Sequence, residues 1–573
     1  MSKRIYMPPL IECVPNFSEG RDMAVVRQIT DAIEAVDGVQ LLDVDPGAST
    51  NRTVVTFVGE PEVVVEAAYA AIRAASAVID MRTHHGEHPR MGATDVCPLV
   101  PVAGITMEEV VAHARRLAQR VGEELGIPVY LYEAAATRPE RKNLATIRAG
   151  EYEGLRDKLK HPDWQPDFGP ATFNPRSGAT VIGARDFLIA YNINLNTTST
   201  RRANAVAFDL RERGRVKREG GSLLGEVIRD ESGEPVRIPG VLEGVKAIGW
   251  YIEEYGICQV SMNLTDLAAT PLHEAFEAAC DRAAARGLRV TGSELVGMVP
   301  LHVLREAGEY YLRKQQRSLG IPTSEIIKIA VRSLGLSELA PFKPQERVIE
   351  LAMAARTPRA PQLVDKTVTG FVDAVASEAP TPGGGSVAAT VGALGAALGT
   401  MVANGSAHKR GWDARWETFS DWAVRGREVL EELLALVDED SRAFDALMAA
   451  YGLPKETPEE RTEREAAIQQ ATRGAIDVPL RTMRAALQAM DVVKAMAEIG
   501  NPNAISDAGV GALCARAAVR GAGFNVRINA GGLTDREAAT QLVAEAREID
   551  ARAAVLEKEI LALVDASMDG GCG

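Results

Sequence analysis

Apolar positions in the first 330 residues alternate between two periods. Ile11–Val14 is a short apolar run, and Arg21–Val36 carries its apolar residues at helical spacing. Val39–Val44 and Thr53–Val58 are rich in valine and alternate in part, which predicts strands. Glu62–Ala77 and Met107–Leu125 predict helices, and Pro128–Tyr132 another strand. A similar order returns after Gly178. Phe187–Leu195 predicts a strand, Arg201–Arg213 a helix, and Lys246–Glu253 with Ile257–Leu264 an antiparallel pair. Pro271–Arg286 is a helix opened by proline, followed by a strand at Leu288–Val296 and a helix at Leu301–Lys314. The halves share element order and not residue identity. Two ferredoxin-like α/β lobes satisfy that order, each with helices on one sheet face and the other face free to line a cleft.

The strand pattern stops after about Pro341. Ala354–Leu363, AARTPRAPQL, contains two prolines and no apolar period, so it predicts a boundary. Beyond it Val364–Glu378, Gly385–Asn404, Arg415–Asp440, Thr457–Met490 and Thr534–Ala566 read as long helices, with Pro479 expected to break or bend one of them. The expected architecture is multidomain. An N-terminal α+β part has lobes at 1–185 and 186–345, a linker covers 346–363, and an all-α helical domain fills 364–573.

Composition narrows the classes. A chain of 573 residues is too long for one core. Its 46% apolar and 25% charged content is that of a folded globular protein. A net charge of −14 and the lack of a basic run argue against a nucleic-acid partner, while leaving room for a local anion pocket. Six scattered cysteines without a C-x-x-C pair are neither a disulfide framework nor a zinc-thiolate array. The opening MSKRIYMPPLIECVPN lacks the apolar core of a signal peptide, so a cytoplasmic protein is expected. Ser386–Ala407 is nearly uncharged and about as long as a membrane span. It is mostly alanine and glycine with no aromatic or basic belt, so a helix buried in protein is expected and no membrane.

Candidate chemistry gathers in loops. THHGEHPRMGATD, Thr83 to Asp95, holds three of the eight histidines. A metal reading uses His84, His85, Glu87 and His88, but Gly86 and Pro89 oppose the helix that would face His84 and His88 the same way. A proton-transfer reading uses a ring that titrates near neutrality, with Asp95 or Glu87 fixing its tautomer and Arg90 holding a carboxylate. A solvated loop is the third reading. Val14–Gly20, Asp45–Gly59 and Asp167–Asn196 are further polar stretches at strand ends, where ligands usually sit. Gly383–Ser386 is a glycine-rich turn before a helix. Ser386 could cap that helix and its N–H groups could hold an anion, or the turn could be purely structural. Asp438 and Asp440 point apart on a helix, whereas Asp440 and Phe444 share a face, an acid beside an aromatic wall.

IECVPNFSEG, LLDVDPGASTNRTVVTFVG, HHGEHPRMGATDVCPLVPV, IRAGEYEGL and DFGPATFNPRSG resemble the glutamate formimidoyltransferase family. TPGGGSVAATVGALGAALGTMV and LVDEDSRAFDALMAAYGLPKETPEE are similar to the formimidoyltetrahydrofolate cyclodeaminases. Their order, over nearly the whole chain, resembles the fused bifunctional enzymes of histidine breakdown. The resemblance implies transfer of a formimidoyl group from N-formimidoyl-L-glutamate to N5 of tetrahydrofolate, then ring closure to 5,10-methenyltetrahydrofolate with loss of ammonia. It implies tetrahydrofolate as co-substrate, with or without a polyglutamate tail, no metal, and a ring-like homo-oligomer. His88 matches the transferase catalytic histidine and Asp440 the cyclodeaminase aspartate. The folate loop matches Gly169, Pro170, Ala171, Thr172, Phe173, Asn174, Pro175, Arg176, Ser177 and Gly178.

Around those matches, Arg90, Arg176 and Arg185 are expected on substrate carboxylates, and Asp45 and Asn51 beside the pterin ring or formimidoyl group. Gly384, Gly385, Ser386 and Phe444 are expected around folate at the second site. Rival readings are a formimidoyl- or formyltransferase with an inert second domain, and a two-module interaction protein. Ala407–Asp413, the N-terminal MSKRIYMPP and the insert Arg229–Gly240 depart from the family pattern, which bears on loop contacts and assembly.

Overall fold

A computed structural model describes residues 9–47, 51–86, 89–221, 225–356 and 361–570. The chain divides into two compact units, Met1–Val303 with Leu334–Thr357, and Leu304–Ser333 with Pro358–Gly573.

The first unit opens with one strand interrupted at Val14 and Pro15, giving β1 (Leu10–Cys13) and β2 (Asn16–Phe17). Then follow α1 (Met23–Glu34), β3 (Gln40–Gly47), β4 (Arg52–Gly59), α2 (Pro61–Val78), β5 (Thr94–Ala103) and α3 (Met107–Leu125). The sheet runs β3, β4, the β1/β2 strand and β5, all antiparallel. Beyond β5 it is extended in parallel by β7 (Thr180–Ala184) and β6 (Val129–Glu133). Between β6 and β7 lie the short helices α4 (Leu144–Arg148) and α5 (Glu151–Lys158). Ile29, Ile33, Phe57, Ile72, Leu99, Leu117 and Ile182 form the core under the long helices. Thr106 and Glu109 close a capping box at the start of α3, and Gly126 ends that helix in the left-handed conformation.

Strand β5 is absent from the sequence reading. Its residues TDVCPLVPVA are buried almost throughout, so they show no alternation, and two prolines argue against a strand. The structure tolerates Pro98, which lacks a donor, because its carbonyl still accepts from Val14 N–H at 3.2 Å.

The second half of this unit contains β8 (Ile189–Leu195), α6 (Thr200–Leu210), the ribbon β9 (Arg215–Val216) and β10 (Arg237–Ile238), then β11 (Val245–Ile252), β12 (Ile257–Leu264), α7 (Leu272–Ala284) and β13 (Val290–Val296). The main sheet is antiparallel in the order β11, β12, β8, β13. The insert at Arg229–Gly240 supplies β10, which pairs with β9. Along β8 the apolar Tyr191, Ile193 and Leu195 alternate with Asn192 and Asn194. These amides join Gln259, Glu294 and Glu338 in a polar network, with Gln259 donating to Asn194 at 2.8 Å.

The chain passes between the two units three times, after Val303, Ser333 and Thr357. Helix α8 (Leu301–Lys314) leaves the first unit, and α9 (Thr323–Ser333) belongs to the second. Leu319 N–H donates to Ser420 Oγ at 3.0 Å and Asn404 Nδ2 to Gly320 O at 2.9 Å. The chain then re-enters the first unit through α10 (Pro344–Arg347) and α11 (Ile349–Arg356). The first half of the expected linker is therefore ordered structure. Val299 N–H donates to Arg347 O, Ile349 N–H donates to Val299 O, and Val348 and Ile349 are fully buried.

The rest of the second unit is helical: α12 (Val368–Val375), α13 (Gly384–Ala407), α14 (Trp416–Tyr451), α15 (Pro458–Ile499), α16 (Ile505–Ala530) and α17 (Arg536–Gly570). Helix α13 is long and apolar enough to cross a membrane by length and composition. Here it is a core helix packed against α14, α15 and α16. Gly392 meets Ala518 and Leu433, Gly395 meets Gly511 and Ala515, and Gly399 meets Val493, so small residues set close backbone spacing. Helix α16 was not anticipated, because its alanines and glycines carry little apolar period. Helix α15 continues through Pro479 as one element instead of breaking there. Helix α14 runs eleven residues past Asp440, so the aspartate lies within a helix and not at its end.

Candidate active sites

The histidine loop leaves α2 and feeds β5. Glu87, expected as a metal ligand or a tautomer-fixing carboxylate, and His88, expected as the catalytic histidine, lie outside the described residues, as do Ala48, Ser49 and Thr50 before Asn51. The flanks on both sides are defined. His84 is buried, its Nε2 donating to Asn51 O at 2.9 Å while its Nδ1 accepts from Arg90 Nε at 3.3 Å. Burial holds the imidazole below its ordinary pKa, and the Arg90 charge adds to this against the Asn51 carbonyl. With both ring nitrogens engaged, His84 has no lone pair for a metal. Among the described residues no group of three or more His, Cys, Asp and Glu could hold one.

Asn51 supports the loop from the side. Its Oδ1 accepts from Gly20 N–H at 3.1 Å, and its Nδ2 donates to His85 O at 3.0 Å. It does so from a left-handed backbone, φ 48°. Asp45 lies exposed on β3.

Arg90 does not present a free fork to a substrate. Nη1 donates to Glu151 at 3.1 Å and to Glu153 at 2.9 Å; Nη2 donates to Glu153 at 2.7 Å and to His84 O at 3.3 Å. With Nε on His84, all five donors are used. Asp95 does not fix a described histidine either. It is 1% exposed and takes Met91 N–H, Arg148 and Arg52.

The loop matched to folate binding is fixed at both ends. Asp167 receives Leu131 N–H at 2.9 Å and the buried Arg141 at 2.7 Å. At the other end Gly178 pairs with Gly92, Ala93 N–H donates to Ser177 O at 2.9 Å, and Ala179 N–H donates to Met91 O at 3.1 Å. Both glycines are required, since a Cβ on either would overlap the backbone of the facing strand. Asn174 shapes the bend by accepting from Arg176 and Ser177 N–H. Gly169, Pro170, Ala171 and Thr172 are exposed. The fold thus brings the histidine and glycine-bounded loops edge to edge.

Two expected carboxylate anchors have other partners here. Arg176 donates to the Ser76 and Ala77 carbonyls and closes the C-terminal end of α2. Arg185 lies at the opposite end of β7 from Gly178, with Nη1 on Asp186 O at 2.9 Å. It faces Glu12, a buried carboxyl pushed up to about 7 by burial and drawn back by the Arg185 charge.

The second site lies where α13 begins. Asp440 on α14 accepts from Ser386 Oγ at 3.2 Å, and Ser386 Oγ also lies 2.8 Å from Val437 O and 3.2 Å from Ser441 Oγ. Ser386 is therefore not the helix cap; Gly383 occupies that position and Ser386 is the third residue of the helix. Burial raises the Asp440 carboxyl above the usual carboxylate range, while the Ser386 hydroxyl and N–H pull it back. Gly385 packs against the carboxylate so closely that a Cβ would overlap it. The exposed Gly384 faces Asn525 of α16, and Phe444 is half-buried one turn beyond Asp440. Asp438 points elsewhere, accepting from Leu363 and Val364 N–H. Neither Ser441 nor Asn525 was legible as a site residue, because each is a lone polar residue on a long helix.

A unit of two α/β lobes with two clamped loops, and a helical unit with a half-buried aspartate, define a two-module enzyme. Family models match in the same layout: "Formiminotransferase domain, N-terminal subdomain" over residues 10–185, "Formiminotransferase domain" over 190–354 and "Formiminotransferase-cyclodeaminase" over 367–548. The chain is 46% identical over 561 residues to formimidoyltransferase-cyclodeaminase of Gallus gallus, covering 96% of this chain and 99% of that one. It is 45% identical to glutamate formimidoyltransferase of Thermoplasma acidophilum over 53% of this chain and 92% of that one. It is also 40% identical to methenyltetrahydrofolate cyclohydrolase of Methylorubrum extorquens, over 36% of this chain and 99% of that one. The chain belongs to the formimidoyltransferase-cyclodeaminase family.

Proposed function

We propose that the α/β unit transfers the formimidoyl group of N-formimidoyl-L-glutamate to N5 of tetrahydrofolate, and that the helical unit closes the product to 5,10-methenyltetrahydrofolate with release of ammonia, in histidine degradation. Full-length similarity to two-activity relatives supports both steps. The observation that carries the site is the Gly92–Gly178 pairing, which sets the histidine loop against the loop matched to folate. The βαββαβ order of each lobe, with the first and third strands central, supports a ferredoxin-like build.

In the transfer, N5 attacks the amidine-like carbon and loses a proton. His88 takes that proton and returns it to the departing glutamate nitrogen. The clamped loops hold donor and acceptor together, an effect worth roughly 7–11 kcal/mol in favourable model reactions. In the closure, N10 attacks the same carbon and the amino nitrogen leaves as ammonia. Asp440, half-buried beside Ser386 with its pKa raised by burial, moves the proton between them.

Purified protein given N-formimidoyl-L-glutamate and tetrahydrofolate should release glutamate and ammonia and form methenyl-folate. His88→Ala should stop glutamate release, and Asp440→Ala should stop ammonia release. Glutamate without ammonia would leave only the first activity. The cyclohydrolase relative favours one second reading, hydrolysis of methenyl-folate by the helical unit. Decay of added methenyl-folate, accelerated by wild type and not by Asp440→Ala, would support it.

A further inference from the structure

The motif IRAGEYEGL has no role in the chemistry above, yet it lies between both loops. We propose that Glu151, Tyr152 and Glu153 are positioning residues that hold the histidine loop and the folate loop at a fixed separation during formimidoyl transfer. This rests on the reading that those loops carry the transferase site.

Tyr152 is bonded to both loops at once. Its backbone N–H donates to Arg90 O at 2.9 Å in the histidine loop, and its hydroxyl donates to Pro175 O at 2.5 Å in the folate loop. Its ring lies 5.4 Å from the Phe173 ring of the same loop, and the Arg156 guanidinium covers the other partner at 4.7 Å. The two flanking carboxylates take three of the five Arg90 donors, and the remaining two go to His84. The Arg90 fork holds the Glu153 carboxyl below the usual range.

The backbone is shaped for this purpose. Gly150 at φ 89° and Glu151 at φ 53° are consecutive left-handed residues at the start of α5. Glutamate rarely adopts that conformation, because its Cβ approaches the carbonyl oxygen. The turn places Glu151 and Glu153 on one guanidinium while Tyr152 reaches the other loop. Arg90 itself is buried, while the Glu151 and Glu153 side chains that reach it are exposed to solvent. Nothing in this geometry requires Tyr152 or the glutamates to touch a substrate. They act through Arg90, Phe173 and Pro175.

The test uses the full chain with Tyr152→Phe, which keeps the ring and removes the hydroxyl, and Glu153→Gln, which keeps the shape and removes the charge. His88→Ala runs beside them. The readout is the single-turnover rate constant for glutamate release at saturating enzyme, which does not depend on the fraction of enzyme folded. The expected result is a fall of tenfold or more in both variants, with KM for tetrahydrofolate within twofold of wild type. Ammonia release from added 5-formimidoyltetrahydrofolate should be unchanged. Rate constants within twofold of wild type in both variants, or a loss confined to amplitude, would overturn the positioning role while a silent His88→Ala upheld the site. An active His88→Ala would overturn the site reading and this role with it.

Discussion

Ser386 Oγ stands 3.2 Å from Oδ2 of Asp440, tying the first turn of α13 to the middle of α14. The neighbouring glycine makes that approach possible, because any side chain at Gly385 would occupy the place of the carboxylate. Gly385→Ala should therefore displace Asp440 without unfolding the first unit. A displacement near 1 Å at a reacting group costs roughly a hundredfold in rate. Ammonia release from 5-formimidoyltetrahydrofolate should fall by that order while glutamate release persists. Equal loss of both activities would count against the assignment.

The same pair sets a pH dependence. The Asp440 carboxyl is raised by burial and lowered by its Ser386 bonds. If its protonated form delivers the proton to ammonia, cyclodeaminase kcat declines as pH rises through the Asp440 pKa. Ser386→Ala removes a hydroxyl that favours the charged form, so the pKa should rise and the decline should move to higher pH. A decline that stays in place would separate Asp440 from that step.

Glu12 and Arg185 make a stability prediction. Glu12 keeps its proton to about pH 7 in the fold, against 4.5 as an ordinary glutamate. Between these values the unfolded chain has lost the proton and the native state has not. Stability therefore falls as pH rises from 4.5 towards 7, by up to about 3 kcal/mol. Glu12→Gln should flatten that part of the profile in urea unfolding. Arg185→Gln removes the charge that restrains the shift, so the fall should extend to higher pH. If Arg185 instead anchors a substrate carboxylate, its replacement should raise KM and leave the unfolding profile alone.

Asp95 supports the histidine loop from beneath. Asp95→Asn leaves the Arg52 and Arg148 guanidiniums facing each other in a buried site, where burial already lowers Arg52 to about 10. Breaking a buried pair in this way costs about 3–5 kcal/mol. Thermal unfolding of the α/β unit should move down accordingly, and an unchanged midpoint would show that the cluster is solvated in solution.

Much of this was readable from the chain, and the failures share a cause. The strands around β8 and β12 alternate because one face of their sheet carries amides. Strand β5 does not alternate because it is buried on both faces, and α16 has small residues all round. Periodicity reports partial exposure, so it is weakest where burial is most complete. The loop residues were found as polar clusters, but their partners were not. Arg90 looks like a substrate anchor until Glu151 and Glu153, sixty residues away, arrive at its fork. Ser386 looks like a cap until Asp440 is brought beside it.

Helix α13 finishes on a question of timing. Gly392 and Gly395 rest on residues of α16 that leave the ribosome more than a hundred positions later. Until then one face of an uncharged helix of membrane-like length has no permanent cover. Contacts so distant along the chain form slowly, and the exposed surface in the interval favours self-association. Chains that stop short of Ile505 should consequently precipitate or recruit chaperones during synthesis, while the completed bundle stays dispersed.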